Sequence, residues 1–325
     1  MKNSFWQELK KPIFVQAPLD DVSDVVFRQV LEKVGKPDVF FTEFTSTDGL
    51  CSKGREKVIR RFLKTPGQRP IVAQIWGNNV DHYAQTAKLV EELGFDGIDI
   101  NMGCPVRKVV GRGQCSGLIK NPKLAAELIN AIKTAAPTLP LSVKTRIGFN
   151  NIQTEAWIGF LLEQNLAAIT VHGRIATRMS KDPANWEEIG KAVALRNQIN
   201  PQTIIIGNGD IKTREDAFEK VKTYGVDGVM IGRGIFTNLW IFNKEKKTSA
   251  IPLSEKLTIL LYHINLFENT WGDTKDFNLL KKFYKVYIAD YPGANELRQK
   301  LMEIHTFKET KKVLEEEIKN LATSD

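Results

Sequence analysis

Asp99-Ile-Asn-Met-Gly-Cys-Pro-Val106 sets a cysteine on the loop that directly follows a strand-like run. A thiol there stands over the end of the strand and can give one proton to a carbon beside a developing enolate. The plainer alternative is a small buried hydrophobe, which cysteine often is. The setting after Asn-Met-Gly and before Pro favours chemistry for Cys104, whereas Cys51 and Cys115 read as structural.

Two later stretches, Ile204-Ile-Ile-Gly-Asn-Gly-Asp210 and Val229-Met-Ile-Gly-Arg-Gly234, end in glycine-rich turns before a helical pattern. Glycines there let backbone N–H groups approach a phosphate, and the next helix offers its positive end. Arg233 adds a cation able to hold a phosphate bidentately. Either turn alone could be a tight turn without a ligand; two in consecutive units point to a phosphate-bearing cofactor.

Lys144, in Ser-Val-Lys-Thr-Arg, suits the negative charge that a flavin ring develops around N1 and O2 on reduction. The alternative is a solvated strand-end lysine. Gln74 can pair with the ring's amide edge, and Ala17-Pro18-Leu19 offers an apolar wall. His172, in Thr-Val-His-Gly-Arg, is one of four histidines and suits a hydrogen bond to flavin or substrate, against a satisfied structural histidine. No Gly-x-Gly-x-x-Gly follows a strand, which disfavours a dinucleotide held in Rossmann fashion.

These residues need elements to carry them. Eight β-rich runs follow in order, Ile13–Leu19, Val39–Phe44, Ile71–Gly77, Gly97–Gly103, Leu141–Ile147, Ala168–Arg174, Thr203–Gly209 and Gly228–Gly232. Amphipathic helical patterns such as Asp81–Leu93, Pro122–Ala135, Thr154–Asn165 and Arg214–Tyr224 lie between them. Asp81 reads as the N-cap of its helix and Gly94 as its stop. Nearly every run ends in polar or glycine-rich text, which is where a parallel barrel builds its active site. The expected fold is therefore a (β/α)₈ TIM barrel over residues 1–243, with a smaller helical domain over 244–325.

The chain's 325 residues exceed the roughly 250 that such a barrel takes. Apolar residues at 42% and charged residues at 26% are those of an ordinary globular protein. Three cysteines without a CxxC pair argue against disulfides and against a zinc site; no metal is expected, and a reducing cytoplasm is. Residues 1–11 carry charge and no apolar core, so they do not read as a signal peptide. No apolar run approaches the roughly 20 residues of a membrane span.

The net charge of +8 permits a polyanionic partner. Lys281-Lys-Phe-Tyr-Lys-Val-Tyr287 interleaves cations with aromatics, a pattern that suits RNA phosphates and bases. Phe283 and Tyr287 at i, i+4 spacing read as core, leaving Lys281, Lys282 and Lys285 as candidate phosphate contacts. Residues from Ile241 on hold 14 Lys and Arg against 13 Asp and Glu, so an RNA footprint would have to extend over the barrel segment too.

The set of motifs, in order and through nearly the whole chain, resembles the tRNA-dihydrouridine synthases. It comprises Gln-Ala-Pro, Val-Ala-Gln-Ile-Trp-Gly, Asp-Ile-Asn-Met-Gly-Cys-Pro, Val-Lys-Thr-Arg, Thr-Val-His-Gly-Arg, Gly-Asn-Gly-Asp, Ile-Gly-Arg-Gly and Tyr291-Pro-Gly-Ala-Asn-Glu-Leu-Arg-Gln-Lys300. The resemblance implies bound FMN, NADPH as electron donor, hydride delivery from the flavin to C6 of a uracil, and protonation of C5 by Cys104. It implies flavin contacts at Ala17, Pro18, Leu19, Gln74, Lys144, His172, Asn208, Gly209, Asp210, Gly232 and Arg233, with Asn101 and Arg174 near the substrate. The implied partner is tRNA, with no DNA and no membrane, for a chain acting as a monomer.

Departures fall at Leu19, where many members have methionine, and at Ile175-Ala176 and Ser180, where Thr-Arg and Tyr are frequent. The last two lie on one loop and bear on which uridine is met rather than on the chemistry. Two rival readings keep the barrel: a flavin enzyme on a free pyrimidine, like a dihydroorotate dehydrogenase, and a non-catalytic RNA-binding protein. The first leaves the helical tail without a task, and the second leaves Cys104 and Lys144 without one.

Overall fold

The computed structural model describes residues 4–246, 251–289 and 291–322. Nine parallel strand segments form its sheet: β1 Ile13–Gln16, β2 Phe40–Phe41, β3 Thr45–Ser46, β4 Ile71–Trp76, β5 Gly97–Met102, β6 Leu141–Arg146, β7 Ala168–His172, β8 Ile204–Asn208 and β9 Gly228–Ile231. Neighbours run β1-β9-β8-β7-β6-β5-β4-β2, with β3 also on β4. Val15 bridges to Val39, and the Gln16 N–H donates to the Val39 carbonyl at 3.0 Å, which nearly closes the circle.

β2 and β3 are two pieces of one barrel position, Phe40 standing opposite Ile71 and Thr45 opposite Ile75. At the break the Thr42 hydroxyl takes over and accepts the Gln74 N–H at 3.1 Å. The eight expected runs thus fill eight positions of a TIM barrel, the second of them interrupted. They form strands because a parallel strand buried on both faces needs continuous apolar text. Ile71, Val72, Ile98, Ile100, Val143, Ile169 and Ile206 are fully buried, each worth about 1.5–3 kcal/mol of burial.

The connecting helices start where side chains satisfy their first N–H groups. Asn121 caps Pro122–Ala135, whose first residue is a proline, and Asn185 caps Trp186–Ile199. Thr213 and Asp216 form a reciprocal capping box on Arg214–Tyr224, and Gly225 at φ 70° ends it. The helix expected to open at Asp81 begins one residue earlier, as Val80–Glu92. Its cap is Asn79, which accepts the His82 N–H at 3.0 Å, so Asp81 lies inside the first turn instead.

At the N-terminal end of the strands Trp6 packs, fully buried, against Ile13, Val39, Ala168 and Ile204. Three aspartates pin the same end. Asp38, just before β2, accepts the Phe14 N–H of β1; Asp96, just before β5, accepts the Ile71 N–H of β4; Asp227, just before β9, accepts the Ile205 N–H of β8; each bond is 2.8 Å. Arg196 completes the third with an ion pair to Asp227 at 2.7 Å, both side chains under 10% exposed, and donates to the Thr203 carbonyl at 3.0 Å.

Contacts separate two compact units, residues 1–25 with 38–232, and residues 26–37 with 233–325. The second holds the helices Leu253–Trp271, Ala294–Glu303 and Phe307–Ala322. Its core is aromatic: Phe27 stacks on Phe283 at 5.0 Å, and His263 Nδ1 lies 3.0 Å from the Tyr287 hydroxyl. Phe283 and Tyr287 are buried, as their spacing leads one to expect. Among the described residues no helix is long and apolar enough to cross a membrane.

Candidate active site

The side chains singled out in the barrel segment gather at the C-terminal ends of its strands, held by three short networks. The first starts at β5. Asp99, wholly buried, accepts from the Gln74 amide at 2.8 Å and from the Ser142 hydroxyl at 2.6 Å. The Gln74 carbonyl oxygen in turn accepts from the Asn101 amide at 3.1 Å. Asn101 Oδ1 accepts the Gly103 and Cys104 N–H groups, both at 3.0 Å. A chain of four side chains thereby fixes the turn on which the Cys104 thiol stands, and both ends of the Gln74 amide are used within it.

The second network crosses β6, β8 and β9. Lys144 Nζ donates to Asn208 Oδ1 at 3.1 Å, and Asn208 Nδ2 donates to the Met230 carbonyl at 2.8 Å. The third links β7 to the loop after β8. Arg174, 5% exposed, grips Asp210 through both carboxylate oxygens at 2.7 and 2.6 Å and also meets His172 Nε2 at 3.0 Å. A guanidinium can only donate, so Nε2 accepts and the neutral His172 ring carries its proton on Nδ1. Arg174 is turned inward, towards the residues it orients.

Glycines make the loop after β8 possible. Gly209 has φ 132°, and a Cβ on it would lie 2.5 Å from Ala184 Cβ. Two residues earlier the Trp186 ring lies across Gly207, where any Cβ would collide with it, and the Trp186 Nε1–H donates to the Gly209 carbonyl at 3.1 Å. Gly232, after β9, differs: a Cβ there would make only ordinary contacts, 3.7 Å to Ala17 and 3.9 Å to Leu19. The protein itself has no steric need for glycine at 232. Ala17 and Pro18 are buried and Leu19 half-buried. The Ala17 N–H is held by the Ile231 carbonyl at 3.0 Å and the Leu19 N–H by the Ser23 hydroxyl at 2.8 Å.

Burial and neighbouring charge displace the proton affinities of this end. Desolvation raises Asp99 to about 7, against the hydrogen bonds from Ser142 and Gln74. Desolvation, helped by the Arg146 charge and opposed by Asp99, lowers Lys144 to about 8. Arg146 is lowered to about 10 by desolvation and by Arg174. Cys104 falls to about 6, chiefly through its interaction with the Cys115 side chain; the Val106 N–H and the Arg146 charge assist against burial.

Three members of the site carry no expectation of a role there from sequence. Asp99 and Arg146 lie at the ends of motifs already quoted, and strand alternation, which sets Arg146 on the same side as Lys144, is the signal that could have found the latter. Arg146 donates to the Gly103 carbonyl at 2.7 Å, beside Cys104. Cys115 is 1% exposed, the buried residue expected, yet it lies against Cys104.

The remaining candidates belong to the second unit. Arg233 follows Gly232 and opens the turn Arg233–Phe236. Lys281 is half-buried, its Nζ on the Met302 carbonyl at 2.6 Å, while Lys282 and Lys285 are exposed. Lys281, Lys285, Tyr284 and Arg298 line an open cavity of about 590 Å³.

Residues 15–323 match the family model described as dihydrouridine synthase. A Bacillus subtilis protein described as a probable tRNA-dihydrouridine synthase 2 is 42% identical over 319 residues, 97% of either chain. Staphylococcus aureus and Staphylococcus epidermidis proteins described as probable tRNA-dihydrouridine synthases are 42% and 41% identical, over 97% of this chain and 96% of theirs.

Proposed function

This chain belongs to the dihydrouridine synthase family, and from that premise we propose that it reduces the C5–C6 double bond of uridines in tRNA. The family is one of flavin-dependent enzymes. We further propose FMN as the flavin, NADPH as the electron donor and the cytoplasm as the place of action.

The residues present fit FMN. Gly232, which the fold does not need on steric grounds, lets the backbone meet a phosphate, Arg233 is the cation next in the chain, and Ala17, Pro18 and Leu19 give an apolar wall. Bound there, FMN supplies the hydride for C6 of the uracil. Lys144 holds positive charge where negative charge grows, which a buried ammonium does far better than one in water. Asn208 orients that ammonium, and Arg174 acts by fixing His172 and Asp210. Cys104 delivers the proton to C5, and Asn101 positions the turn that carries it. A uracil within a folded RNA has to be turned outward to be reached, and the exposed Lys282 and Lys285 offer charge to RNA phosphates.

The observation that carries the reading is the placement of Cys104 and Lys144 at one end of the barrel, each locked by hydrogen bonds to a neighbouring strand or turn. The test is to purify the protein, record its visible spectrum, and incubate it with NADPH and either unmodified tRNA or free uridine. We expect flavin absorbance, and dihydrouridine at defined positions of tRNA with none from free uridine. A protein that binds no FMN, or one that reduces free pyrimidine as readily as tRNA, overturns it.

A further inference from the structure

The second cysteine of the mouth has no task in the reduction, yet the fold places it with care. Cys115 is 1% exposed and holds a left-handed backbone, φ 51°, which residues with a side chain rarely adopt. Its neighbours on both sides are tied down. Before it, the Gln114 amide donates to Asp48 and to Asn78, both at 3.2 Å; after it, the Ser116 N–H donates to the Cys104 carbonyl at 3.3 Å. The outcome is that the two side chains come close enough for each to move the other's proton affinity, Cys104 downward and Cys115 upward. No disulfide joins them.

We propose that Cys104 and Cys115 form a reversible redox pair, in which a hydroperoxide converts the two thiols into a disulfide that takes the proton donor out of service. Cys104, half-buried, is the sulfur a small oxidant can reach, and Cys115 is the buried partner, held beside it by the Ser116 N–H on the Cys104 carbonyl. Attack on the peroxide draws on the thiolate form of Cys104, which its lowered proton affinity enlarges, whereas proton delivery to C5 draws on the thiol form.

The steps balance. The Cys104 thiolate attacks one oxygen of hydrogen peroxide, the O–O bond breaks, and hydroxide leaves as a sulfenic acid forms. The Cys115 sulfur then attacks that sulfenic sulfur; the S–S bond forms, the S–O bond breaks and water leaves. Two thiols and one peroxide give one disulfide and two waters, with sulfur oxidised and peroxide reduced. A dithiol reductant reverses the change by exchange. The alternative fate of an unpartnered sulfenic acid is sulfinic acid, which thiols do not reduce. Cys115 therefore keeps Cys104 on the recoverable part of the ladder.

Formation of the bond stands apart from the proposed enzyme activity, and only the loss of turnover rests on that reading. The full-length protein, reduced and freed of thiol, is treated with stoichiometric hydrogen peroxide and followed by intact mass, peptide mapping and thiol titration. We expect the loss of two hydrogens, a Cys104–Cys115 cross-linked peptide, and a fall in titratable thiols from three to one. Reduction of tRNA uridine should fall in step and return to the untreated rate with dithiothreitol. Cys51→Ser should behave as the wild type. Cys115→Ser, given a second equivalent of peroxide, should instead gain two oxygens on Cys104 and fail to recover. Wild-type protein that accumulates oxygen on Cys104 while Cys115 stays a free thiol overturns the proposal, as does a cross-link between Cys104 and Cys51. Both are read from mass whether or not the serine variant folds.

Discussion

The two ends of the barrel use buried charge in opposite ways. At the N-terminal end Asp227 is surrounded by donors: Arg196, Lys11 and the Ile205 N–H all reach its carboxylate. Asp38 and Asp96 likewise accept the backbone of a neighbouring strand. Towards the C-terminal end Lys144, Arg146 and Cys104, with Asp99 within the strand below them, have proton affinities pushed away from their ordinary values, Lys144 and Arg146 by desolvation first and by close like charge second. The same strands connect both ends. One end spends its charge on register and stability, and the other holds it in a reactive state.

Three changes would break or sharpen that contrast. The largest effect is expected from Cys104→Ala, which removes the proton donor and should slow tRNA reduction about 10²–10⁴-fold. FMN content and NADPH oxidation should stay near wild type, and single-turnover assays with unmodified tRNA measure it. If Cys115→Ala instead abolishes turnover and Cys104→Ala does not, the two cysteines have been assigned the wrong way round. At the other end, Asp227→Ala leaves Arg196 buried without its carboxylate, which costs about 3–5 kcal/mol. Urea unfolding should show that loss while turnover per folded molecule stays unchanged; a stable but inactive variant would erase the division between the ends.

The smallest effect is one of pH. Cys104 is lowered to about 6, whereas Cys51 is raised by burial and Cys115 by its interaction with Cys104 and by burial. Because only the thiolate is alkylated, iodoacetamide should label Cys104 at a rate that climbs as pH rises through about 6 and levels off above 7, leaving the other two thiols slow. Cys115→Ala deletes the side chain that lowers Cys104, so the midpoint should move upward. A midpoint that does not move would mean that Arg146 and the Val106 N–H suffice.

The barrel was legible because continuous apolar text such as Ile71-Val-Ala and Ile204-Ile-Ile has no other stable use between helical repeats. The break in the second strand was not, since Thr42-Glu43-Phe44 reads as strand until the Thr42 hydroxyl is seen replacing a backbone acceptor. Residues 26–37 pack with the helical unit through partners such as Phe283 and Asn243, more than 200 residues away, and no local pattern announces that. In the mouth, the residue types pointed out Cys104, Lys144 and Asn208 because their chemistry is costly to place at a strand end without reason. Asp99 escaped for the opposite cause: a buried carboxylate within a strand looks like any other residue until its partners Gln74 and Ser142 are in view.

The Trp186 ring resting on Gly207 has a consequence for inheritance. A single-base change that gives position 207 any side chain would push the indole aside, release the Gly209 carbonyl and so deform the turn before Asp210. Residue 207 meets no reactant, yet it should tolerate variation as poorly as Cys104. A genetic screen for lost dihydrouridine would then return alleles at a glycine whose part in the site is to be thin.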